Sequence, residues 1–421
     1  MRETEAHRAI EAVWRIESAR LIAGLTRIVH DVGRAEELAQ DALVAALEQW
    51  PASGVPDNPG AWLMTTARNR SIDALRRRET LERKVQELGR ELETEEERDL
   101  AAELDDRVGD DLLALVFIAC HPVLSTEARV ALTLRLLGAL TTDEIARAFL
   151  VPKATVAQRI VRAKKTLADA HVPFELPPPE ALEARLASVL EVIYLVFNEG
   201  YAATAGEDWI RPELCAEALR LGRIVAELMT EQPEVHGLVA LMEIQASRLR
   251  ARLGPAGEPV LLGDQDRARW DRLLIGRGLV ALERARRLGR PAGPYVLQAE
   301  IAACHARAPA AEATDWARIA ALYAALAQRM ASPVIELNRA VALGMALGPA
   351  AGLELVDALR DEPALAGYHL LSSVRGDLLE KLGRRDEARE EFERAAAMTR
   401  NERERALLLR RAAACEPGAV R

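Results

Sequence analysis

The stretch from Leu140 to Ala168, LTTDEIARAFLVPKATVAQRIVRAKKTLA, constrains the fold more than any other part of the chain. Thr141, with Glu144 three residues on, has the form of a capping box, in which hydroxyl and carboxylate each accept an orphan amide and so start a helix. Ile145, Ala146 and Phe149 give that helix one apolar face. Leu150 and Val151 then make a short turn. Pro152 suits the first position of a second helix, where an amide would have no intrahelical partner. Val156 and Ile160 anchor the second helix at i, i+4 spacing, which leaves Lys153, Thr155, Gln158, Arg159, Arg162, Lys164 and Lys165 for other faces. The pair predicts a helix-turn-helix whose second helix carries donors suited to base edges and phosphates in a major groove. A solvated amphipathic helix is the plainer reading of any one basic residue here. The capped, two-helix spacing favours DNA.

The formal charge of −9 makes this basic helix a local feature, balanced by acidic regions elsewhere, and excludes a uniformly basic nucleic-acid coat. A chain of 421 residues exceeds one ordinary core, and a prior of ~150 residues per domain gives two or three. With 50% hydrophobic, 29% charged and only 4% aromatic residues, rich in Ala, Leu, Arg and Glu, the composition predicts an all-α protein packed through small side chains. The first residues carry acids among the apolar positions and read as no secretory signal. No apolar run is long enough to span a bilayer, so a cytoplasmic location without membrane contact is expected. Cys120, Cys215, Cys304 and Cys415 lie far apart with no C-x-x-C, which points to free thiols and no metal site. The Cys120–His121 and Cys304–His305 neighbours point about 100° apart on a helix and are poor joint ligands.

Three helical blocks and two linkers follow. Residues 6–78 form the first block, broken by the turn-rich PASGVPDNPG at 51–60. An acidic linker covers 79–111. A compact block at 112–171 contains the helix-turn-helix, and the proline-rich 172–180 forms a semi-rigid spacer. Residues 181–414 make a third helical block larger than the other two together. Near its end Gly376, Leu379, Gly383, Ala388, Phe392 and Ala395 have the spacing of a tetratricopeptide unit, small residues admitting two antiparallel helices and Phe392 filling between them. One unit cannot stand alone, so imperfect repeats are expected beneath it.

Two further patterns carry chemistry. In VHDVGRAEELAQDALVAALEQW, Ala39, Leu43, Leu47 and Trp50 recur as a core face, which leaves Glu36, Glu37, Gln40 and Asp41 mainly on the other side. In NPGAWLMTTARNRSIDALRRR, Trp62 can stack on an unpaired base, Asn69 can bond a base edge, and Arg68 and Arg76 can neutralise phosphates. Core packing of Trp62 and Leu63 is the competing account.

AEELAQDAL, NPGAWLMTTARNRSIDALRRR and the helix-turn-helix segment together resemble the extracytoplasmic-function (ECF) sigma factors, which retain sigma regions 2 and 4, over about residues 10–170. Pro152 stands where that family often has a capping Ser. The resemblance implies that Glu37, Gln40, Asp41 and Leu43 meet core RNA polymerase. It implies that Asn69 captures a flipped base of the −10 element with support from Trp62, Arg68 and Arg76. For the −35 element it implies reading by Lys153, Thr155, Gln158, Arg159 and Arg162. YLVFNEGYAAT, LLGDQDRARWDR and GPYVLQAEIAACHA are similar to words of a subgroup with a tetratricopeptide-like C-terminal extension, which implies regulation through that extension and a YCII-like protein or small ligand as regulator. Asn198, Glu199, Asp264, Gln265, Asp266, Arg269 and Trp270 within these words are the expected regulatory surface. Satisfaction of helix ends between stacked helices explains them equally well. No nucleophile, metal set or phosphate loop accompanies Glu199 and Asp266, so neither catalysis nor a cofactor is expected. The competing function is a stand-alone helix-turn-helix regulator with a repeat-built sensor.

Overall fold

Small side chains set the packing from the start of the chain. The computed structural model describes residues 3–70 and 108–416; Arg76 and nearly all of the acidic linker lie outside them. Glu3–Val29 and Val32–Ser53 are helices joined at His30, whose φ of 52° is left-handed. Asp31 caps the second, its carboxylate accepting the Arg34 amide at 2.9 Å. Ala35, Ala39, Ala42, Ala45 and Ala46 of this helix are buried with Leu21, Ile22 and Leu25 of the first. Leu43 and Leu47, read from the sequence as core, are only half-buried at the edge of that stripe.

Asn58 starts the next helix, its Oδ1 accepting the Ala61 amide at 3.0 Å, and the helix covers 59–70 with Leu63 and Ala67 buried. Trp62 is half-buried, edge-on to Trp50 at 5.2 Å between ring centroids. From Leu112 onward the helix Val108–Ala119 is apolar and buried on every face. Asp110 and Asp111 belong to its first turn, where carboxylates suit the helix dipole, and Asp111 pairs with Arg27 at 3.2 Å. Thr126–Leu136 follows, capped by Ser125. Then come Thr142–Ala148 and Lys153–Asp169.

The chain divides into two compact units, residues 1–192 and 193–421. The helix Pro179–Tyr201 begins in the first. There Arg185 donates to the Phe117 carbonyl (2.8 Å), Ser188 donates to the Cys120 carbonyl (2.7 Å), and Glu191 pairs with Arg129 at 3.1 Å. The first unit therefore continues past the proline-rich 172–180, because these side chains satisfy the carbonyl end of the Val108–Ala119 helix.

In the second unit, Pro212–Leu228, Pro233–Ala246, Pro294–Arg307, Pro333–Leu347 and Pro349–Ala358 each place proline in the first helical turn, where its missing amide costs nothing. One apolar cluster gathers Leu241, Ile244, Trp270, Ile275, Leu282 and Val296; another gathers Leu337, Leu353, Leu379, Phe392 and Leu408. In the second cluster His369–Lys381 and Arg385–Met398 form the expected terminal helix pair, with Leu379, Ala388, Phe392 and Ala395 fully buried. A two-residue parallel ladder joins Ala205–Gly206 to Arg400–Asn401. Asn401, 1% exposed, donates from Nδ2 to the carbonyls of Ala203 (3.1 Å) and Asp208 (2.7 Å). The last helix, Glu402–Ala414, is thereby tied to the unit's beginning.

Candidate nucleic-acid interface

The capping box forms as the sequence requires: Thr141 Oγ1 accepts the Glu144 amide at 3.2 Å, and Glu144 Oε2 accepts the Thr141 amide at 2.7 Å. Burial would raise the Glu144 pKa, but these bonds and nearby Arg15 outweigh it and hold the carboxyl below its ordinary range. Leu150, at φ 50°, turns the chain. Pro152 is the N-cap residue of the following helix, one place earlier than expected. Its carbonyl accepts from Thr155 and Val156, a role that needs no side-chain cap.

Val156, Ile160, Ala163 and Leu167 form the buried stripe of Lys153–Asp169. The opposite stripe, Ala154, Gln158, Arg162 and Lys165, is exposed, and Thr155 and Arg159 flank it half-buried. This places Gln158 and Arg162 centrally among the −35 candidates. Val161, 65% exposed beside Arg162, was not singled out by sequence reasoning; an apolar side chain there suits a thymine methyl. Lys153 pairs with Asp143 across the turn at 2.7 Å, both exposed, so a phosphate would compete only with a weak surface pair.

Asn69 is exposed on the 59–70 helix, while Arg68 is half-buried. Arg70 donates from Nη1 to the Asp41 carbonyl at 2.7 Å and lies 3.9 Å from its carboxylate. Asp41 and Asn69, assigned to different partners, therefore sit on helices tied to each other. Glu37 and Asp41 are exposed, and Gln40 and Leu43 are half-buried. Glu36, placed on the solvent side from sequence, is only 4% exposed. It lies one turn from Val32 and Gln40, and its Oε1 accepts from Gln40 Nε2 (2.7 Å) and Arg135 Nε (2.6 Å) while its other oxygen pairs with Lys164.

The candidate regulatory residues do not converge. Glu199 is half-buried, pairs with the buried Arg211 and accepts from Thr204 Oγ1 at 3.0 Å. Gly200 beside it has no room for a side chain, since a Cβ would come within 2.7 Å of the Cys215 amide nitrogen. Gln265 and Trp270 are buried, whereas Asp264, Asp266 and Arg269 are exposed. Asp266 caps the Ala268 amide at 2.9 Å, and Arg269 donates to the Leu253 carbonyl at 3.2 Å. Around Trp270 the chain builds an alternation of rings and cations: Arg252 lies over Tyr201 (3.8 Å) and Trp209 (5.4 Å), Arg248 over Tyr201 and Trp270 (5.7 Å each), and Arg267 over Trp270 (4.7 Å). Such contacts are worth ~0.5–2 kcal/mol each. To this stack, invisible in sequence spacing, those words contribute Tyr201, Arg267 and Trp270. Among the described residues no cluster of three or more His, Cys, Asp or Glu could hold a metal ion. All four cysteines are free and buried, burial pushing Cys120 up to about 11 and Cys215 to about 12.

A helix-turn-helix with an exposed basic stripe, joined in one unit to a helical block bearing Trp62 and Asn69, defines a promoter-recognition protein. The family description Sigma-70 region 2 matches residues 16–80, and Sigma-70, region 4 matches 115–167. Residues 185–286 match a family of unknown function, DUF6596. An uncharacterized protein of Rhizobium meliloti (strain 1021) is 44% identical over 390 residues, covering 92% of this chain and 91% of that protein. No solved structure matches. The chain belongs to the ECF-type sigma factors that carry a C-terminal extension. Its sigma domains imply core RNA polymerase and promoter DNA as partners, and no helix among the described residues is long and apolar enough to cross a membrane.

Proposed function

We propose that this sigma factor docks on core RNA polymerase through Glu37, Gln40, Asp41 and Leu43, opens the −10 element with Asn69 as base-capturing residue, and reads the −35 element with the Lys153–Asp169 helix. Trp62, Arg68 and Arg76 support −10 capture, while Lys153, Thr155, Gln158, Arg159 and Arg162 supply the −35 contacts. The carrying observation is the stripe Ala154, Gln158, Arg162 and Lys165, exposed opposite a buried Val156–Ile160–Ala163–Leu167 seam on a helix entered through an intact capping box. Only that arrangement aims donors at a groove while the hydrophobic seam fixes their direction. The extension modulates output, with the exposed Asp264, Asp266 and Arg269 as its regulatory surface.

Transcription with purified core polymerase, followed by sequencing of start sites, tests the reading. Start sites sharing upstream −35 and −10 sequences, absent without this chain, are expected. Equally tight binding to duplex DNA with and without core would replace it with a stand-alone regulator.

A further inference from the structure

We propose that the extension carries a binding site for a small phosphate-class anion, built from the guanidiniums of Arg248, Arg252 and Arg267 around Tyr201 and Trp270. The site goes beyond the exposed Asp264, Asp266 and Arg269 surface by naming a ligand, and only its effect on transcription rests on the reading of the extension as a modulator of output. All five residues belong to the second unit. Arg248, 8% exposed, donates to the Tyr201 hydroxyl at 2.6 Å and to Gln245 Oε1. Arg252 donates to the Tyr201 carbonyl at 3.0 Å, and Arg267 donates to the carbonyls of His305 and Ala308 and to Thr314 Oγ1 at 3.2 Å. Every one of these acceptors is neutral. Arg211, Arg223 and Arg375 of the same unit each have a glutamate instead, Glu199, Glu243 at 2.7 Å and Glu391 at 3.0 Å. Among the described residues no carboxylate forms such a pair with Arg248, Arg252 or Arg267, and Glu312 favours the charged Arg267 only from longer range.

The rings of Tyr201 and Trp270 lie against these cations, but a ring quadrupole attracts a cation without neutralising it. Burial, with Arg248 adding to it, lowers the pKa of Arg252, Arg267 and His305, and the arginines stay charged all the same. Positive charge gathered out of water is costly until an anion joins it. The unused hydrogen-bonding atoms narrow what that anion is. Nε of all three arginines and Nε1 of Trp270 are buried donors without an acceptor, while Oε1 of Gln265, two residues before Arg267, is a buried acceptor without a donor. Gln265 is itself held by Nε2, which donates to the Val260 carbonyl at 3.2 Å. Guanidinium forks match phosphate oxygens. A sulfate or an ionised carboxylate offers oxygens to the donors but no proton to Gln265, whereas the P–O–H of hydrogenphosphate, or a hydroxyl carried on a phosphate ester, serves both. Gln265 and Trp270 are buried and Arg252 and Arg267 half-buried, so the cluster reaches solvent through its cations.

The test is isothermal titration of the full-length chain, without polymerase and at constant ionic strength, with inorganic phosphate, glycerol 3-phosphate and sulfate. Saturable binding of at least one of the two phosphates at a single site is expected, the tighter of them marking free phosphate or an ester as the source, with sulfate about tenfold or more weaker because it cannot donate to Gln265. Arg252→Gln and Arg267→Gln should each weaken phosphate by about tenfold or more through loss of a charge-assisted bond. Gln265→Glu keeps all three arginines but supplies their carboxylate from within the chain, so it should abolish phosphate binding and raise the melting temperature. Circular dichroism checks helicity, and should an arginine variant lose it, Gln265→Glu carries the test alone. Absence of saturable phosphate binding, sulfate bound as tightly as phosphate, or phosphate bound by folded Gln265→Glu as by the parent chain overturns the proposal. Transcription judges the other reading separately: saturable binding with equal core-dependent output from the parent and Gln265→Glu chains, with and without phosphate, would keep the site and strike the regulatory role of the extension.

Discussion

Gly376 has no room for a methyl group, since a Cβ there would lie 2.8 Å from Cε1 and 2.9 Å from Cδ1 of the fully buried Phe392. Gly376→Ala must therefore push an aromatic ring out of a closed seam, and a loss of ~1–3 kcal/mol is expected from overpacking. Urea unfolding followed by tryptophan fluorescence measures it; an unchanged midpoint would mean the two helices separate freely. His305 offers a pH test in the same unit. Burial, with Arg248 and Arg267 near, lowers its pKa from 6.5 to about 4. Between those values the unfolded chain binds a proton that the folded one refuses, so stability is full above pH 6.5 and declines as pH falls toward 4, by at most about 3 kcal/mol. His305→Phe keeps a ring against Trp316, 5.1 Å away, and should flatten the melting temperature between pH 7 and 5 relative to the parent chain. An identical acid slope in both would assign the loss to other groups.

On the recognition helix, position within the element decides what each basic residue is worth. Arg162→Ala, from the centre of the exposed stripe, should cost ~1–3 kcal/mol and relax base preference if it bonds a guanine. Lys165→Ala on the same stripe should weaken all sequences alike and reduce the salt slope by about one. Holoenzyme binding to wild-type and base-substituted −35 duplexes over a salt series separates the two, and no change in either variant would mean that another face meets DNA. The elements themselves were legible wherever local chemistry dominates: the Thr141–Glu144 box, the Val156–Ile160 anchor and the Gly376–Phe392 pair all lie within one turn or one hairpin. What the sequence hid depends on distant partners. Glu36 reads as one more acid on a solvated face, and only a cation ninety-nine residues away, Arg135, makes it internal. Its spacing was nevertheless a clue, because residue 36 falls four after Val32 and three before Ala39 on the alanine stripe. The Tyr201, Arg248, Arg252 and Trp270 stack had no such clue, since its members come from separate loops and helix ends.

At the scale of the whole chain, the boundary between units decides which truncation is informative. A chain ended after Pro179 loses Arg185, Ser188 and Glu191, and with them the bonds to Phe117, Cys120 and Arg129. It also removes Leu186, Val189 and Leu190, which are themselves buried. That truncation should therefore melt earlier than one ended after Val192, which keeps these contacts. Equal melting would show that the start of the Pro179–Tyr201 helix adds nothing to the first unit. With the folded Val192 truncation in hand, transcription output per holoenzyme reports on the extension alone. We expect output to fall, because Asn401 closes residues 193–416 into one body through Ala203 and Asp208, and a body so closed is suited to holding a partner in a fixed arrangement. Asn401→Ala in the full chain should mimic part of the loss, since it leaves the buried Ala203 carbonyl without its donor, at ~1–3 kcal/mol. Higher output from the Val192 truncation than from the full chain would reverse the sign and make the extension inhibitory, and equal output would remove it from initiation.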